Sequence, residues 1–222
     1  PFCLLNAKEC RMDLKHHRRE YKRGILDENY LSDTPYPLFT MWLQEALKEE
    51  KNDPTAMILS TVGKDNIPSS RVVLLKESSE SGLVFFTNYL SRKGNDIEQN
   101  PYVSLLFFWP ALERQVRIEG NVQKIPAPES DAYFGSRPRE SQIAVWASHQ
   151  STPISDRKDL ETSFQEFSRK FKGQTIPRPP HWGGYQVIPH RFEFWQGRKN
   201  RLHDRIEYRL SDDQWTICRL AP

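Results

Sequence analysis

Three groups of side chains have the types and spacing to hold a planar, anionic ligand. In the first, Arg71 opens the apolar run Arg71-Val72-Val73-Leu74-Leu75-Lys76 and a second cation closes it. Phe85-Phe86-Thr87-Asn88 follows, and then Ser91-Arg92-Lys93 at an expected helix start. A hydroxyl cap followed by two cations at a helix N-terminus cradles phosphate, because free N–H groups and the helix dipole add to the charges. Positions 71 and 76 differ in parity, so on a regular strand their side chains leave opposite faces. The same residues also fit a solvated strand end and a capped surface helix.

The second group is Tyr133, Arg137, Arg139 and Ser141, around Ser136-Arg137-Pro138-Arg139. Guanidinium forks with hydroxyl donors suit a phosphate monoester, and an aromatic ring suits a flat partner beside it. Helix-end charges and a buried tyrosine account for these residues equally well. Gln150-Ser151 adds further donors. The third group is Phe194-Trp195-Gln196-Gly197 with Arg201-Leu202-His203-Asp204-Arg205. If that stretch is extended, Arg201, His203 and Arg205 share a face, and burying all three without an anionic partner would be costly. A surface ladder of ion pairs is the alternative.

These groups need elements to hold them. Leu38, Trp42, Ala46 and Leu47 recur at helical spacing. The runs 56–62, 71–76, 83–88 and 103–109 read as short strands, and 114–125 as a long strand bent at Gly120. Helical patterns at 130–134, 141–148 and 156–171 are separated by prolines, and strands return at 184–188, 192–196, 205–210 and 215–220. Strands at both ends with helices inserted between them predict an α+β fold whose antiparallel sheet closes into a barrel. Residues 1–34 are expected to be an N-terminal extension and arm, and 35–222 one domain. Met12 reads as a natural start, which would leave residues 1–11 as an extension outside the fold.

Composition narrows the function. The chain has 222 residues, 37% hydrophobic and 12% aromatic, with 32 basic against 29 acidic side chains. A net charge of +3 is too small to mark a general nucleic-acid binder. No apolar run approaches the ~20 residues of a membrane helix. Cys3, Cys10 and Cys218 form no CxxC pair, so a disulfide scaffold or zinc site is not expected and a reducing, cytoplasmic setting is. The chain has no GxGxxG after a strand, no GxxxxGK[ST], no HExxH and no GxSxG.

The motifs taken in order resemble the pyridoxine (pyridoxamine) 5′-phosphate oxidase family. They are Arg18-Arg-Glu-Tyr21, Arg71-Val-Val-Leu-Leu-Lys76, Ser91-Arg-Lys93, Glu113-Arg-Gln-Val116, Ser136-Arg-Pro-Arg139, Ser141-Gln-Ile143, Trp182-Gly-Gly184, Phe194-Trp-Gln-Gly197 and Arg201-Leu-His-Asp-Arg205. The resemblance implies an FMN-binding split β-barrel of Greek-key type, working as a homodimer with flavin at the subunit interface. By that resemblance Arg71, Val72, Val73, Leu74, Leu75, Lys76, Phe86, Thr87, Arg92, Lys93, Gln115, Gln150, Ser151, Trp195 and Arg205 contact FMN. Lys76, Tyr133, Arg137 and Ser141 would take the substrate phosphate. Arg201, Leu202 and His203 would lie against the pyridine ring, with Arg201 and His203 as the catalytic candidates. Arg18, Arg19, Glu20 and Tyr21 would form an arm closing over the substrate. The implied reaction is oxidation of pyridoxamine or pyridoxine 5′-phosphate to pyridoxal 5′-phosphate, with O₂ as acceptor and H₂O₂ as product.

The sequence departs from the family at Ala144-Val145, where Gly-Ala is common, and at Phe86, where some relatives carry tyrosine. A flavin reductase or FMN-binding module of similar barrel would need only the first cluster and Trp195. Nucleic-acid binding through the basic arm is a weaker rival, since Arg18–Arg23 is short.

Overall fold

The computed structural model describes residues 14–16 and 19–222. The expected extension, residues 1–11, and Arg18 of the arm lie outside the described residues. The β-branched and aromatic runs form one antiparallel sheet of nine strands. These are β1 (Ala56–Val62), β2 (Pro68–Leu74), β3 (Glu77–Ser79), β4 (Gly82–Asn88), β5 (Tyr102–Trp109), β6 (Arg114–Lys124), β7 (Trp182–Gln196), β8 (Asp204–Ser211) and β9 (Gln214–Arg219). Their order is β2-β1-β5-β6-β7-β4-β3, with β8 on β7 and β9 on β8. The sheet divides at β7. Its first part, Trp182–Val187, pairs with β4, and its last part, Arg191–Gln196, pairs with β8, while β6 runs along both. This is the split barrel the sequence predicted.

Two sequence expectations are corrected here. Segments 184–188 and 192–196, expected as separate strands, are one continuous β7 that runs through Pro189. A proline cannot donate to a ladder, but here it falls at the bulge between Glu119 and Gly120, where pairing is already broken. Gly120 is required there, since a Cβ would stand 2.4 Å from the Ile188 carbonyl oxygen. The parity expectation for Arg71 and Lys76 also fails. Strand β2 stops at Leu74; the Leu75 N–H then donates to the Thr55 carbonyl and the Lys76 N–H to the Val84 carbonyl. The chain thereby crosses from the β1 side to the β4 side, and the alternation restarts.

The helices are α1 (Tyr36–Glu49), α2 (Arg92–Gln99), α3 (Ala127–Ser136), α4 (Arg139–Ala147) and α5 (Arg157–Lys170). Helix α1 lays Phe39 and Trp42 on the barrel core against Phe107, Phe192 and Phe194. Ser91 caps α2, its hydroxyl accepting from the Gly94 N–H, and Asp156 caps α5 through the Lys158 and Asp159 N–H groups. A second, smaller core of Phe134, Ile143, Phe171, Ile176 and Trp182 lies under α3–α5, with Phe86 and Tyr133 packed on its edge. That edge becomes one wall of the site.

Candidate active site

A cavity of about 840 Å³ opens between the β2 end, β4, the start of α2 and the helical block. Arg71, Val72, Val73, Leu74, Lys76, Phe86, Thr87, Arg92, Lys93, Tyr133, Arg137, Ser141, Gln150 and Ser151 line it. The first two sequence clusters are therefore one site. Leu75 is an exception: it is 5% exposed and points into the main core. Arg139 is another departure, since its guanidinium binds the Phe171 and Gln174 carbonyls and ties α4 to the end of α5.

Lys93 defines the cavity floor. It is 7% exposed, and its Nζ donates to Thr87 Oγ1 (3.1 Å), Ser91 Oγ (3.1 Å) and Gln150 Oε1 (2.8 Å). All three acceptors are neutral. Burial, and then the nearby Arg71 charge, push the ammonium down to about 8. Arg71 itself donates to the Leu59 carbonyl, Thr61 Oγ1 and Ser69 Oγ, and stands 3.9 Å from Asp96. Burial also lowers its pKa, partly offset by Asp96. Buried cations without matching acids are expensive unless an anion arrives.

The opposite wall repeats the pattern. Phe86 stacks on Tyr133 at 3.8 Å between ring centroids, and Trp182 lies parallel to both. The Arg137 guanidinium sits 4.8 Å from the Trp182 ring centroid, and its Nη1 is buried with no hydrogen-bond partner among the described residues. Desolvation lowers the Arg137 pKa. An orphaned donor on a residue that lines a polar cavity marks a place for an acceptor. Trp182 and Ser69 were not singled out as site residues from sequence; the Trp182-Gly-Gly184 motif was the available signal.

Gln115, Trp195, Arg201, Leu202, His203 and Arg205 do not line this cavity. Gln115 faces Trp195 across β6 and β7, and Trp195 faces Arg205 across β7 and β8. Thr87 pairs with Gly183, twelve residues before Trp195 on β7, which is roughly 40 Å of strand. The third cluster is thus separate from the cavity, at the far end of β7. Here the extended reading of 201–205 is corrected. Lys199–Arg201 is a turn of 3₁₀ helix with positive φ at Asn200 (58°) and Arg201 (60°), and β8 begins only at Asp204. Arg201 and Leu202 are exposed at the rim.

The His203 ring lies tilted by 43° against Trp195, 4.6 Å between centroids, and accepts at Nδ1 from the Arg198 N–H (3.0 Å), which leaves the ring proton on Nε2. Burial and then Arg201 lower its pKa, with Asp204 opposing. Arg205 is not free: it binds Glu193, 4% exposed, together with Arg117 on the same carboxylate. The arm reaches this cluster. Tyr21 packs edge-on against Trp195 and His203, each at 5.5 Å, while Arg19 and Glu20 remain exposed.

Residues 43–171 match the model of the family described as Pyridoxamine 5′-phosphate oxidase, and residues 182–222 that of the Pyridoxine 5′-phosphate oxidase C-terminal dimerisation region. A pyridoxine/pyridoxamine 5′-phosphate oxidase of Synechocystis sp. is 51% identical over 205 residues, covering 92% of this chain and 96% of that protein. Its counterpart in Haemophilus influenzae is 52% identical over 211 residues, covering 95% and 100%. Among solved structures, PhzG from Burkholderia lata superposes with a TM-score of 0.84 at 30% identity, covering 89% of this chain and 98% of that one. An FMN-binding protein from Nostoc punctiforme shares the fold, with a TM-score of 0.69 at 18% identity over 86% of this chain and all of that one. With its split barrel and these matches along nearly its whole length, the chain belongs to the pyridoxamine 5′-phosphate oxidase family.

Proposed function

We propose that the protein is an FMN-dependent oxidase that converts pyridoxamine 5′-phosphate and pyridoxine 5′-phosphate to pyridoxal 5′-phosphate. The observation that carries this reading is a cavity lined by two cations, buried Lys93 and half-buried Arg137, neither of which has an acid partner among the described residues. Two phosphate esters with an aromatic system between them fit that layout. Lys93, Arg92 and the α2 N-terminus would hold the FMN phosphate, where a single phosphate suffices and no glycine-rich turn exists for a pyrophosphate. Lys76, Tyr133, Arg137 and Ser141 would hold the substrate phosphate.

The reading requires a homodimer, consistent with the match of residues 182–222 to a dimerisation region. A flavin cannot reach from one chain's cavity to the far end of the same β7, so Gln115, Trp195 and Arg205 of a second copy would close it. A flavin held there would supply a two-electron acceptor for oxidation at substrate C4′, with O₂ as the terminal acceptor giving H₂O₂ and water releasing ammonia from the oxidised amine substrate. The chain supplies position. Arg201 orients the substrate ring at the rim, and His203 presents Nε2–H as a donor while its lowered pKa keeps it neutral at neutral pH. Arg205 and Trp195 back the flavin, and the arm covers the substrate with Tyr21.

The test is the reductive half-reaction. Pyridoxine 5′-phosphate added to the yellow protein without oxygen should bleach the flavin's visible absorption, and air should restore it with formation of peroxide. A flavin that stays oxidised under both phosphorylated vitamers, yet bleaches with a nicotinamide donor, would favour a reductase instead.

A further inference from the structure

The turn between β5 and β6 holds a buried acid that the proposed chemistry does not use. Glu113 is 6% exposed and adopts φ 56°, a left-handed conformation that ordinarily favours glycine. Its Oε2 accepts from the Lys22 N–H (2.7 Å) and the Arg23 N–H (2.9 Å), and its Oε1 from Arg19 Nη2 (3.3 Å). The turn's carbonyls add to the grip, Pro110 accepting from Arg19 and Ala111 from Arg23. One carboxylate thus fastens two consecutive backbone amides and a guanidinium of the arm.

The same residue also holds the end of β7. The Glu113 carbonyl accepts from the Gly197 N–H (2.8 Å) and from Gln196 Nε2 (3.2 Å), just past Trp195. Gly197 leaves the seat for the arm, since a Cβ there would lie 2.6 Å from the Tyr21 ring. Tyr21 immediately precedes the first clasped amide and rests edge-on against both Trp195 and His203. Arm, clasp and rim therefore meet on three residues in a row.

We propose that Glu113 is a positioning residue, a clasp that fixes the arm so that Tyr21 stands over the substrate side of Trp195 and His203. This rests on the reading that His203 borders the substrate. Its effect falls on substrate capture and leaves flavin affinity alone, because Glu113 lines neither the cavity nor the Lys93 cluster.

The test uses the flavin-loaded protein and its Glu113→Ala, Glu113→Gln and Tyr21→Ala variants. Tryptic cleavage after Lys22 and Arg23 should quicken about tenfold or more in Glu113→Ala, since strong charge-assisted bonds are lost. KM for pyridoxine 5′-phosphate should rise about tenfold or more, while kcat and the flavin dissociation constant change little. Glu113→Gln keeps an acceptor of the same shape and should recover much of both effects, and it serves if the alanine variant fails to fold. Glu113→Ala combined with Tyr21→Ala should be no worse in KM than the worse single variant, because one pathway carries both. Unchanged cleavage, or faster cleavage with unchanged KM, would overturn the clasp. So would lost flavin affinity and melting temperature with KM intact, which marks a merely structural acid. A wild-type protein that failed to oxidise either phosphorylated vitamer would sink the functional reading, while the cleavage rates would remain a separate measure of the clasp.

Discussion

Replacing Lys93 by methionine should make the flavin-free protein more stable and the flavin-bound protein weaker. The ammonium is lowered from 10.5 to about 8 by burial and Arg71. At about 1.4 kcal/mol per unit, keeping it charged in the fold costs on the order of 3 kcal/mol at neutral pH. Methionine has similar length, fills the space and removes that cost. Against this, Gln150 Oε1, Thr87 Oγ1 and Ser91 Oγ each lose a donor, although Ser91 keeps its bond to the Asn88 carbonyl. Those losses offset about half of the gain. The net should be a rise of a few degrees in melting temperature, at about 2–4 °C per kcal/mol for a chain of this size. Binding should move the other way. A lost charge-assisted bond to phosphate is worth roughly 1.5–3 kcal/mol, or about ten- to over a hundredfold in the dissociation constant. Thermal melts of the flavin-free protein and fluorescence-quenching titrations with FMN measure the two halves. A variant that melts lower than wild type and binds FMN equally well would refute the assignment of Lys93 as an anion site.

The same lysine sets a pH dependence. Its folded pKa lies below the unfolded one, so the flavin-free protein carries the full penalty below about pH 8 and is relieved of it as pH rises toward 10.5. Stability without flavin should therefore gain from this group across that window, while FMN affinity falls by up to about tenfold per pH unit above 8 as the cation is lost; denaturant melts and titrations from pH 7 to 10 check both. Arg137→Leu removes a guanidinium whose Nη1 has no hydrogen-bond partner among the described residues and keeps an apolar side chain against Trp182, so it should change the melting temperature little and raise KM for phosphorylated substrate by about tenfold or more; an unchanged KM would remove Arg137 from the substrate site. Arg201→Leu, at an exposed rim position, should lower kcat/KM by about ten- to over a hundredfold with flavin binding intact. Arg205→Leu should release flavin and also lower stability, because it leaves the buried Glu193 with Arg117 alone; a stable, yellow Arg205→Leu protein would contradict that.

Much of the site was legible because its chemistry is local. Ser91-Arg92-Lys93 carries its own cap and helix start, and the Arg137 motif sits between two proline-bounded helices, so spacing offered both as candidates and the family resemblance singled them out. What spacing could not supply was where the chain changes direction. Strand parity sent Lys76 away from Arg71 because two hydrogen bonds, to Thr55 and Val84, break the alternation, and neither is visible in sequence. That 184–188 and 192–196 are one strand was not legible either, because the bulge opposite Pro189 is a property of the pairing with β6. Arg205 looked like a free ligand until Glu193, twelve residues earlier, was seen buried against it. Glu113 was quoted as part of a motif but given no role, since its partners lie some ninety residues away on the arm.

The central claim is that the cavity of one chain and the Trp195–His203 face of another make one site. Chains carrying Arg137→Leu and chains carrying Arg201→Leu can be co-expressed with different tags and the mixed dimer purified by both. Each altered homodimer has two damaged sites. In a two-fold dimer whose sites are shared, the mixed species has one doubly damaged site and one intact site, so it should recover about half of the wild-type oxidation rate per dimer. A mixed dimer no more active than either altered homodimer would place both arginines in one chain's site and contradict the shared assembly.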